Sequence, residues 1–552
     1  MKKGTVMIAG VLLLLTSVAW GQSSGWLNPL RVKPLLSGNF GELRDSHFHS
    51  GLDYKTEGRE GLPVICVKDG VLARVKVSAT GYGNALYIEH ADGYTTVYGH
   101  LQRFVPRVEE IVRDMQYAKE SFAIDENFEA EAIVFKAGDT IAYSGNSGSS
   151  MGPHLHFEVR SSRDERPLNP LLFLRIEDTM GPTLRALYLY GFTEEGVLSG
   201  RSRVAVKNTG NRNYSAGRVR FPAGKVGIGI QGDDYMNGSW NKLGLYELKL
   251  WVGGRLISRM KMDTTSFDQN VLVNEVKDFQ LYRENKVVYT TFGNYRDELP
   301  GVFTSLARGF ITLYPDTIRQ IRLELRDMNG NVSRLSFELI GREREREVES
   351  SENVIWDNRK GHRMVCENYV LELEPDALQY PISGKPQLVS WHKDSTETME
   401  VFCLAREEWP LLKKGKLQVT GPFPEKSVLC MVGKGNKLLP MKTWRSETGL
   451  WAYPRMLGRY TVSRDTVAPQ IDYLGKVAGK SVRFKIKDEL TGIASYRVEV
   501  NGKWCLFSYD AKKNMLEGRL SEPAFTKGKN RLVLKVTDGV GNVATFETHI
   551  VK

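Results

Sequence analysis

The sequence predicts an all-β protein, in which a small antiparallel sheet unit is followed by β-sandwiches. The run "ALYIEHADGYTTVYGHL" alternates apolar and polar residues on either side of Asp92-Gly93, which is a strong hairpin turn signal. The stretch "PHLHFEVR" (153–160) alternates with the same period of two. Two further stretches, "IRLELRDMNGNVSRLSFEL" (321–339) and "RLVLKVTDGVGNVATFETHI" (531–550), share one pattern of strand, Asp-x-x-Gly-Asn turn and strand.

The N-terminal residues have the pattern of a secretory signal peptide. Lys2 and Lys3 precede a short apolar run at 6–15, and Ala19-Trp20-Gly21 provides small residues at a cleavage position. The prediction is a signal peptide over 1–21, and an uncleaved N-terminal anchor is the alternative. No cysteine follows the apolar run, so a lipoprotein anchor is not indicated. The mature chain is expected to be exported, either periplasmic or extracellular.

Residues 22–177 are rich in glycine, histidine and short strand patterns, and form the first predicted domain. "LPVICVKDGVLARVKV" predicts a second hairpin around Lys68-Asp69-Gly70, and "FKAGDTIAYSG" predicts a turn followed by a strand. A helix is predicted as an insertion at about 105–124, because Val108, Ile111, Val112 and Met115 fall at helical spacing.

The 552-residue chain is too long for one core, and three further domains are predicted after residue 177. Residues 178–342 and 465–552 are predicted to be immunoglobulin-like β-sandwiches. Each opens on a similar phrase, "DTMGPTLRALYL" or "DTVAPQIDYL", and each ends in one of the two repeated hairpins. Residues 354–464 are β-rich but match neither copy. The charged run "GREREREVESSEN" (341–353) is predicted to be a linker or a solvated edge.

Charge and cysteine content limit the possible partners and metal sites. A net charge of +11 favours contact with anionic polymers or membrane surfaces, although dispersed charge that serves only solubility is the alternative. No nucleic-acid motif is visible, so nucleic acid is not an expected partner. The five cysteines include no Cys-x-x-Cys pair, so a thiolate metal site is not indicated. Cys366, Cys403 and Cys430 lie in one region and could supply a disulfide.

Histidines cluster in the first predicted domain, and they point to a metal site. Six of the nine lie between 47 and 156: His47, His49, His90, His100, His154 and His156. Gly51 lets the chain bend so that His49 and Asp53 converge, while His154 and His156 share one face of their strand. Two nitrogens, one oxygen and an open fourth position make a catalytic zinc site. The expected ligands are His49, Asp53 and one histidine of the pair; the alternative is a solvated sheet face that happens to carry two histidines.

Three motifs in order resemble the lysostaphin-type, or LytM-type, zinc endopeptidases of peptidoglycan. They are His-x-Gly-x-Asp, Tyr-x-His-Leu and His-Leu-His-Phe-Glu, framed by "NFGELR", "GYGNALYIEH" and "KAGDTIAYSGNSG" over residues 40–159. The resemblance implies a duplicated-hybrid-motif sheet that binds one zinc ion through His49, Asp53 and His156. It also implies that His154 is the general base toward the attacking water, and that His100 hydrogen-bonds the scissile carbonyl or the tetrahedral intermediate.

The neighbouring residues carry weaker expectations. His47 is interpreted as a residue that supports the site or lies on the surface, and His90 as an exposed hairpin residue. Glu158 either orients a ligand histidine or faces solvent. Tyr98 shares a face with His100 and is expected to line the cleft.

The predicted function is that of an exported zinc endopeptidase that hydrolyses peptide crosslinks of bacterial peptidoglycan. Its substrates would be stem or crossbridge peptides, and the sandwiches could bind an envelope protein. Three alternatives remain open: a non-enzymatic activator of other wall hydrolases, an endopeptidase for exported proteins, and an enzyme autoinhibited by the insertion or by a trailing domain. Family members that act as activators have lost metal ligands, whereas this sequence retains all three.

Overall fold

A computed structural model gives the fold, and it describes residues 25–129, 133–294, 301–344, 354–392, 398–403 and 408–552. The predicted signal peptide and most of the charged run at 341–353 lie outside the described residues. Strands dominate the described chain, and every strand pair but one is antiparallel, so the all-β prediction is confirmed. No helix in these residues is long and apolar enough to cross a membrane.

The N-terminal unit (25–177) is built on one eleven-stranded antiparallel sheet. Its central strands run in the order β1-β2-β10-β6-β5-β4-β7, so β10 lies between β2 and β6. The elements are β1 (Leu36–Gly38), β2 (Leu52–Lys55), β3 (Pro63–Ile65), β4 (Gly70–Val77), β5 (Asn84–His90), β6 (Tyr94–Phe104), α1 (Pro106–Ala118), β7 (Ile124–Asn127), β8 (Val134–Phe135), β9 (Thr140–Ser144), β10 (His154–Ser161) and β11 (Pro167–Leu168).

The structure confirms one predicted hairpin of this unit and corrects the other. Strands β5 and β6 pair antiparallel across the turn at Asp92-Gly93. The second hairpin prediction was wrong, because β3 pairs with β9 while β4 pairs with β5, β7 and β8. The turn at Lys68-Asp69-Gly70 therefore joins two strands whose partners lie elsewhere in the sequence. Local turn chemistry marked the reversal but carried no information about those partners.

A helix lies at the predicted insertion. Pro106 occupies its first turn, where a missing N–H costs nothing, and the helix ends at Ala118. Val108 and Val112 are its buried apolar residues, and they pack into the core of the N-terminal unit. The helical spacing therefore identified the face that binds the sheet.

The first sandwich (178–342) consists of a six-stranded and a seven-stranded sheet. The repeated hairpin is β23–β24, and β15 runs parallel to β24. An immunoglobulin-like topology stays a prediction. The elements are β12 (Thr183–Phe192), β13 (Leu198–Ala205), β14 (Lys207–Gly210), β15 (Asn213–Pro222), β16 (Gly224–Met236), β17 (Ser239–Leu243), β18 (Glu247–Val252), β19 (Arg255–Lys261), α2 (Phe279–Arg283), β20 (Val288–Thr290), β21 (Phe303–Ser305), β22 (Ile311–Leu313), β23 (Ile318–Arg326) and β24 (Val332–Arg342).

The N-terminal unit and the first sandwich share one hydrophobic core. Polar contacts also cross their boundary: Asn39 Nδ2 donates to the Gly244 carbonyl at 2.8 Å, and the Gly244 N–H returns a bond to Asn39 Oδ1 at 2.7 Å. Lys277 of the sandwich is 1% exposed, and its Nζ donates to the carbonyls of Arg44 and Asp45 at 2.5 and 2.6 Å. The segment that leads into the first metal motif is thus held by the sandwich.

The buried Lys277 is expected to make the stability of this unit depend on pH. Burial lowers the pKa of Lys277 from 10.5 to about 8, so the unfolded chain binds this proton more tightly than the folded one. Burying the charged amine therefore lowers the free energy of unfolding below pH 8, and this cost disappears as the pH rises toward 10.5. Between pH 8 and 9.5, the free energy of unfolding of wild type should rise by about 1.5 kcal/mol relative to Lys277→Met.

Urea unfolding of both proteins across that pH range measures this difference. Lys286→Met provides the matched control, because Lys286 is an exposed lysine of the same segment. The prediction fails if the curves of wild type and Lys277→Met stay parallel across the range.

The middle unit (354–464) contains two five-stranded sheets and two short strand pairs. Its core is continuous with residues on β12 of the first sandwich. The strands are β25 (Ile355–Trp356), β26 (His362–Cys366), β27 (Tyr369–Leu373), β28 (Ile382–Ser383), β29 (Gln387–His392), β30 (Thr398–Cys403), β31 (Trp409–Pro410), β32 (Lys416–Thr420), β33 (Ser427–Val432), β34 (Leu438–Pro440), β35 (Thr443–Ser446), β36 (Gly449–Ala452), β37 (Met456–Leu457) and β38 (Arg459–Arg464).

The C-terminal sandwich (465–552) has two four-stranded sheets around a single core. Its last two strands form the second repeated hairpin, β45–β46. The strands are β39 (Gln470–Val477), β40 (Ser481–Lys487), β41 (Ile493–Val500), β42 (Lys503–Trp504), β43 (Phe507–Asp510), β44 (Met515–Arg519), β45 (Lys529–Asp538) and β46 (Val543–Val551).

The C-terminal sandwich docks onto the N-terminal unit through helix α1. Glu522, whose side chain is 3% exposed, pairs with Arg113 at 2.8 Å and accepts a hydrogen bond from Tyr117. The ring of Trp504 lies 5.0 Å from that of Tyr117. Lys512 reaches the loop before β10, where its Nζ donates to the Ser150 carbonyl at 2.9 Å. The inserted helix is therefore a docking surface for the far end of the chain.

Candidate metal centre and active site

Strand pairing and one glycine bring the three predicted metal ligands together. In the antiparallel β2–β10 pair, Asp53 lies directly opposite His156. His49 precedes β2 and is buried, as are the other two. A Cβ on Gly51 would lie 2.3 Å from the Phe157 carbonyl oxygen, so only glycine lets this segment approach β10 closely enough.

The three ligand atoms converge on one point. Asp53 Oδ1 lies 3.1 Å from His49 Nε2 and 2.9 Å from His156 Nδ1, and the two nitrogens are 3.1 Å apart. Two imidazole nitrogens and one carboxylate oxygen form the donor set of a catalytic zinc site, which keeps a further position open. These buried residues therefore fit a single divalent metal ion.

Each ligand is oriented by a second hydrogen bond. His49 Nδ1 donates to the Asn39 carbonyl at 2.7 Å, which leaves Nε2 to face the metal position. Asp53 Oδ2 accepts from Arg44 at 3.0 Å, so that Oδ1 remains for the metal. Asn39 and Arg44 both lie in "NFGELR", which the sequence marked as a framing element without giving either residue a role.

Glu158 fixes the orientation of His156. Its side chain is fully buried, and Oε1 accepts from His156 Nε2 at 2.7 Å, from Ser50 at 2.5 Å and from Tyr82 at 2.6 Å. Arg160 Nε donates to Oε2 at 2.7 Å. The solvent-facing alternative for Glu158 was wrong, because β10 is a central strand and both of its faces are covered.

The electrostatics of the site favour the ionised carboxylates. Although burial opposes it, the charge of His49 and hydrogen bonds from the histidines hold the pKa of Asp53 well below its usual range. Burial also opposes ionisation of Glu158, but Arg160 and His156 hold its pKa far below the usual value. Burial alone would lower the pKa of His156, yet hydrogen bonds to Asp53 and Glu158 raise it to about 9. The pocket is thus arranged to hold positive charge.

His154 and His100 lie beside the ligand cluster. His154 Nε2 is 3.5 Å from Asp53 Oδ1, and its Nδ1 donates to the Gly152 carbonyl at 2.9 Å. His100 Nδ1 donates to the Ser147 carbonyl at 2.9 Å, and its ring lies 4.7 Å from that of His154. Burial and the neighbouring histidines lower the pKa of His100 to about 3. In each ring Nδ1 is held by a backbone carbonyl, so Nε2 is the nitrogen left for other partners.

His100 is placed by a β-bulge that the alternation pattern did not reveal. Its φ is 58°, and β6 carries an extra residue at this point relative to β5. The bulge turns His100 toward the site and leaves Tyr98 on the opposite face. Tyr98 is fully buried and packs against Phe157, so the expectation that it lines the cleft was wrong.

The two other histidines of the cluster lie outside the ligand set. His47 is exposed, which agrees with the surface interpretation. His90 was predicted to be exposed but is only 2% exposed. Its ring nitrogens bond the Asp69 carbonyl and Thr96 at 2.9 Å each, and Trp26 covers its ring. Trp26 lies outside the recognised motifs, so no motif indicated that it covers His90.

Residues 47–117 match the family model of Peptidase family M23. This segment belongs to an M23 peptidase domain. The matched span includes His49, Asp53 and His100, whereas His154 and His156 follow it. The resemblance predicted from the three motifs is thereby confirmed.

Two curated relatives are similar to the M23 domain. The DD-carboxypeptidase/endopeptidase Mpg of Neisseria meningitidis serogroup B is 35% identical over 129 residues, which are 23% of this chain and 23% of the relative. The murein hydrolase activator NlpD of Salmonella dublin is 28% identical over 136 residues, 25% of this chain and 28% of the relative. The chain thus spans about a quarter of the length of these relatives.

A solved structure is also similar over this region. It is the catalytic domain of a mutant of the prophage-encoded M23 protein EnpA from Enterococcus faecalis. Its sequence is 24% identical, and the similarity covers 25% of this chain and 88% of that chain with a TM-score of 0.19.

Replacing Glu158 by glutamine is expected to weaken zinc binding to the M23 domain by about 10- to 100-fold. The amide keeps the shape of the side chain but removes the negative charge that polarises His156. Competition with a chromophoric chelator measures the zinc affinity. Glu165→Gln is the matched control, because Glu165 also pairs with Arg160 but is exposed. Equal zinc affinities of the two variants would show that Glu158 does not contribute to metal binding.

Proposed function

We propose that this protein is an exported zinc-dependent endopeptidase that hydrolyses peptide crosslinks of bacterial peptidoglycan. One observation carries the proposal: a complete ligand set of His49, Asp53 and His156 with two further histidines beside it. The M23 family and the name of the Neisseria relative support peptide-bond hydrolysis in the cell wall. Export and a periplasmic or extracellular location are part of the proposal and rest on the N-terminal sequence pattern.

In this proposal, His49, Asp53 and His156 hold one zinc ion. Zinc would supply Lewis-acid polarisation and lower the pKa of water toward neutrality. His154 is the general base, because its Nδ1 is engaged by the Gly152 carbonyl and its Nε2 can accept a proton from the attacking water. The water oxygen bonds to the carbonyl carbon, the C–N bond breaks, and His154 returns the proton to the leaving amine.

His100 would stabilise the negative charge that develops on the carbonyl oxygen. Because Nδ1 already donates to Ser147, Nε2 can donate to an oxyanion only when His100 carries both protons. The second proton would have to come from solvent, and a developing negative charge within hydrogen-bond distance would raise the pKa of His100 from about 3 toward that form. His100 is therefore suited to the transition state rather than to the neutral substrate.

The activator name of the Salmonella relative supports a second candidate, in which the M23 domain stimulates another wall hydrolase. One experiment separates the two. Zinc-loaded protein from residue 22 is incubated with purified peptidoglycan, and new amino groups and fragment masses are measured. Amine release by the protein alone supports the endopeptidase. Release that requires an added hydrolase, and that persists in the His154→Ala variant, supports the activator.

A further inference from the structure

The repeated hairpins of the two sandwiches are alike in their hydrogen bonds as well as in sequence. Asp327 accepts from the Asn331 N–H and side chain at 2.7 and 2.6 Å, and Asp538 accepts from Asn542 at 2.8 and 2.7 Å. The same asparagines reach back to the start of each sandwich. Asn331 donates to the Asp178 carbonyl at 3.2 Å, and Asn542 donates to the Asp465 carbonyl at 3.1 Å.

A third aspartate occupies an equivalent position in each sandwich. Five residues after Asp178, Thr183 pairs with Asp233, and Asp234 follows. Five residues after Asp465, Gln470 pairs with Lys487, and Asp488 follows. Strand register therefore defines two equivalent sets, a first triad of Asp178, Asp234 and Asp327 and a second triad of Asp465, Asp488 and Asp538.

The second triad gathers its carboxylates closely. One oxygen from each of the three residues lies within 4.8 Å of the other two. Asp465 is 3% and Asp538 1% exposed. Burial comes first among the causes that raise the pKa of Asp488, and the charges of Asp465 and Asp538 add to it. Three acidic groups thus share a small, mostly buried volume, in which a cation would relieve their mutual repulsion.

The first triad is more open, because its three carboxylates do not converge within 4.8 Å as those of the second triad do, but it has an unpaired buried oxygen. Asp234 is 4% exposed, and its Oδ1 has no hydrogen-bond partner among the residues that the structure describes. Burial and the nearby charges of Asp327 and Asp178 raise the pKa of Asp234 to about 8. A buried carboxylate oxygen without a donor normally costs stability, so this oxygen faces either a proton or a bound cation.

We propose that each triad binds one divalent cation, and that Ca²⁺ is the ion. All the donors are carboxylate and carbonyl oxygens, which hard cations prefer, and no imidazole or thiolate that would favour zinc belongs to either triad. Ca²⁺ tolerates irregular oxygen cages, whereas Mg²⁺ demands a near-ideal octahedron and keeps several waters. These sites are separate from the M23 metal centre and do not depend on the proposed peptidase activity.

The positions of the triads suggest what the ions do. Asp178 directly follows the N-terminal unit, and Asn329 of the first hairpin turn donates to the Ile176 carbonyl at 2.8 Å. Asp465 directly follows the middle unit, and its N–H donates to the Lys426 carbonyl at 3.1 Å. Each ion would therefore bind where a sandwich joins the preceding unit, and would fix the opening strand against the closing hairpin.

The test uses the full mature chain, from which Ca²⁺ is removed with EGTA; the EGTA is then dialysed away and zinc is restored before the titration. Ca²⁺ binding is measured by isothermal titration calorimetry, up to about 1 mM, the range of extracellular calcium modules. We expect two ions per chain for wild type, one each for Asp234→Asn and Asp488→Asn, and none for the double variant. Asp316→Asn removes an exposed carboxylate of the first sandwich and should still bind two.

Thermal unfolding shows whether a variant that binds no Ca²⁺ is still folded. Without Ca²⁺, Asp234→Asn should unfold no earlier than wild type, because asparagine keeps the shape and removes a carboxyl group whose ionisation burial and the neighbouring aspartates oppose. Ca²⁺ should raise the unfolding midpoint of wild type more than that of either single variant. The proposal is overturned if wild type binds no Ca²⁺, if Mg²⁺ binds instead, or if both single variants retain two ions.

Discussion

Under the proposed function, His49→Ala is expected to leave the M23 domain without zinc and without hydrolytic activity. His49 supplies one of three donors, and its Nε2 lies 3.1 Å from both other ligand atoms. A two-donor site holds zinc poorly, and loss of the metal removes several kcal/mol of transition-state stabilisation. The rate of amine release should fall by about 10³-fold or more. Zinc content by atomic absorption and release from crosslinked muropeptides are the two measurements.

His47→Ala is the matched control for this prediction. His47 is two residues away, is exposed, and belongs to the same local sequence "HFHSG". The control should retain one equivalent of zinc and wild-type activity. If His49→Ala keeps a full equivalent of zinc, the metal must lie elsewhere.

His154→Ala should separate metal binding from catalysis. Its imidazole lies outside the ligand set, with Nε2 3.5 Å from Asp53 Oδ1, so zinc should stay bound at one equivalent. Loss of the general base is expected to lower kcat by about 10²- to 10⁴-fold while KM changes little. Steady-state kinetics on a crosslinked muropeptide give both constants, and zinc content is measured on the same sample.

Exposed His549 provides the comparison, since His549→Ala removes an imidazole of the C-terminal sandwich that belongs to no motif. It should behave as wild type in kcat, KM and zinc content. A wild-type kcat in His154→Ala would show that His154 is not the general base. His100 would then be the next candidate, and His100→Ala would be tested in the same assay.

The sequence predicted which residues meet at the candidate centre because the relevant signals were local. The spacing of His49 and Asp53 around Gly51 and the two-residue period of His154 and His156 both survive in the structure as neighbouring, paired segments. What the sequence missed depended on distant parts of the chain. Glu158 is buried because β10 lies between β2 and β6, and that strand order cannot be read from a single strand.

The other errors have the same physical origin. Tyr98 joined the core because the bulge at His100 reverses the alternation of β6. His90 is buried under Trp26, a residue 64 positions earlier that no motif includes. The pairing of β3 with β9 connects residues about 80 apart, and the turn between β3 and β4 contains no trace of it. The immunoglobulin-like assignments and the domain boundaries stay predictions.

The contact between Lys512 and Ser150 joins residues that are 362 positions apart, so it brings the C-terminal sandwich back to the N-terminal unit. The intervening units hold the C-terminal sandwich near helix α1, so its local effective concentration is set by the rest of the fold. A docking surface of two ion pairs (Arg113–Glu522 and Arg497–Glu120), one aromatic contact and Lys512 can then remain occupied. The middle unit and the first sandwich therefore influence the loop before β10 from a distance, through the C-terminal sandwich that they hold against Ser150.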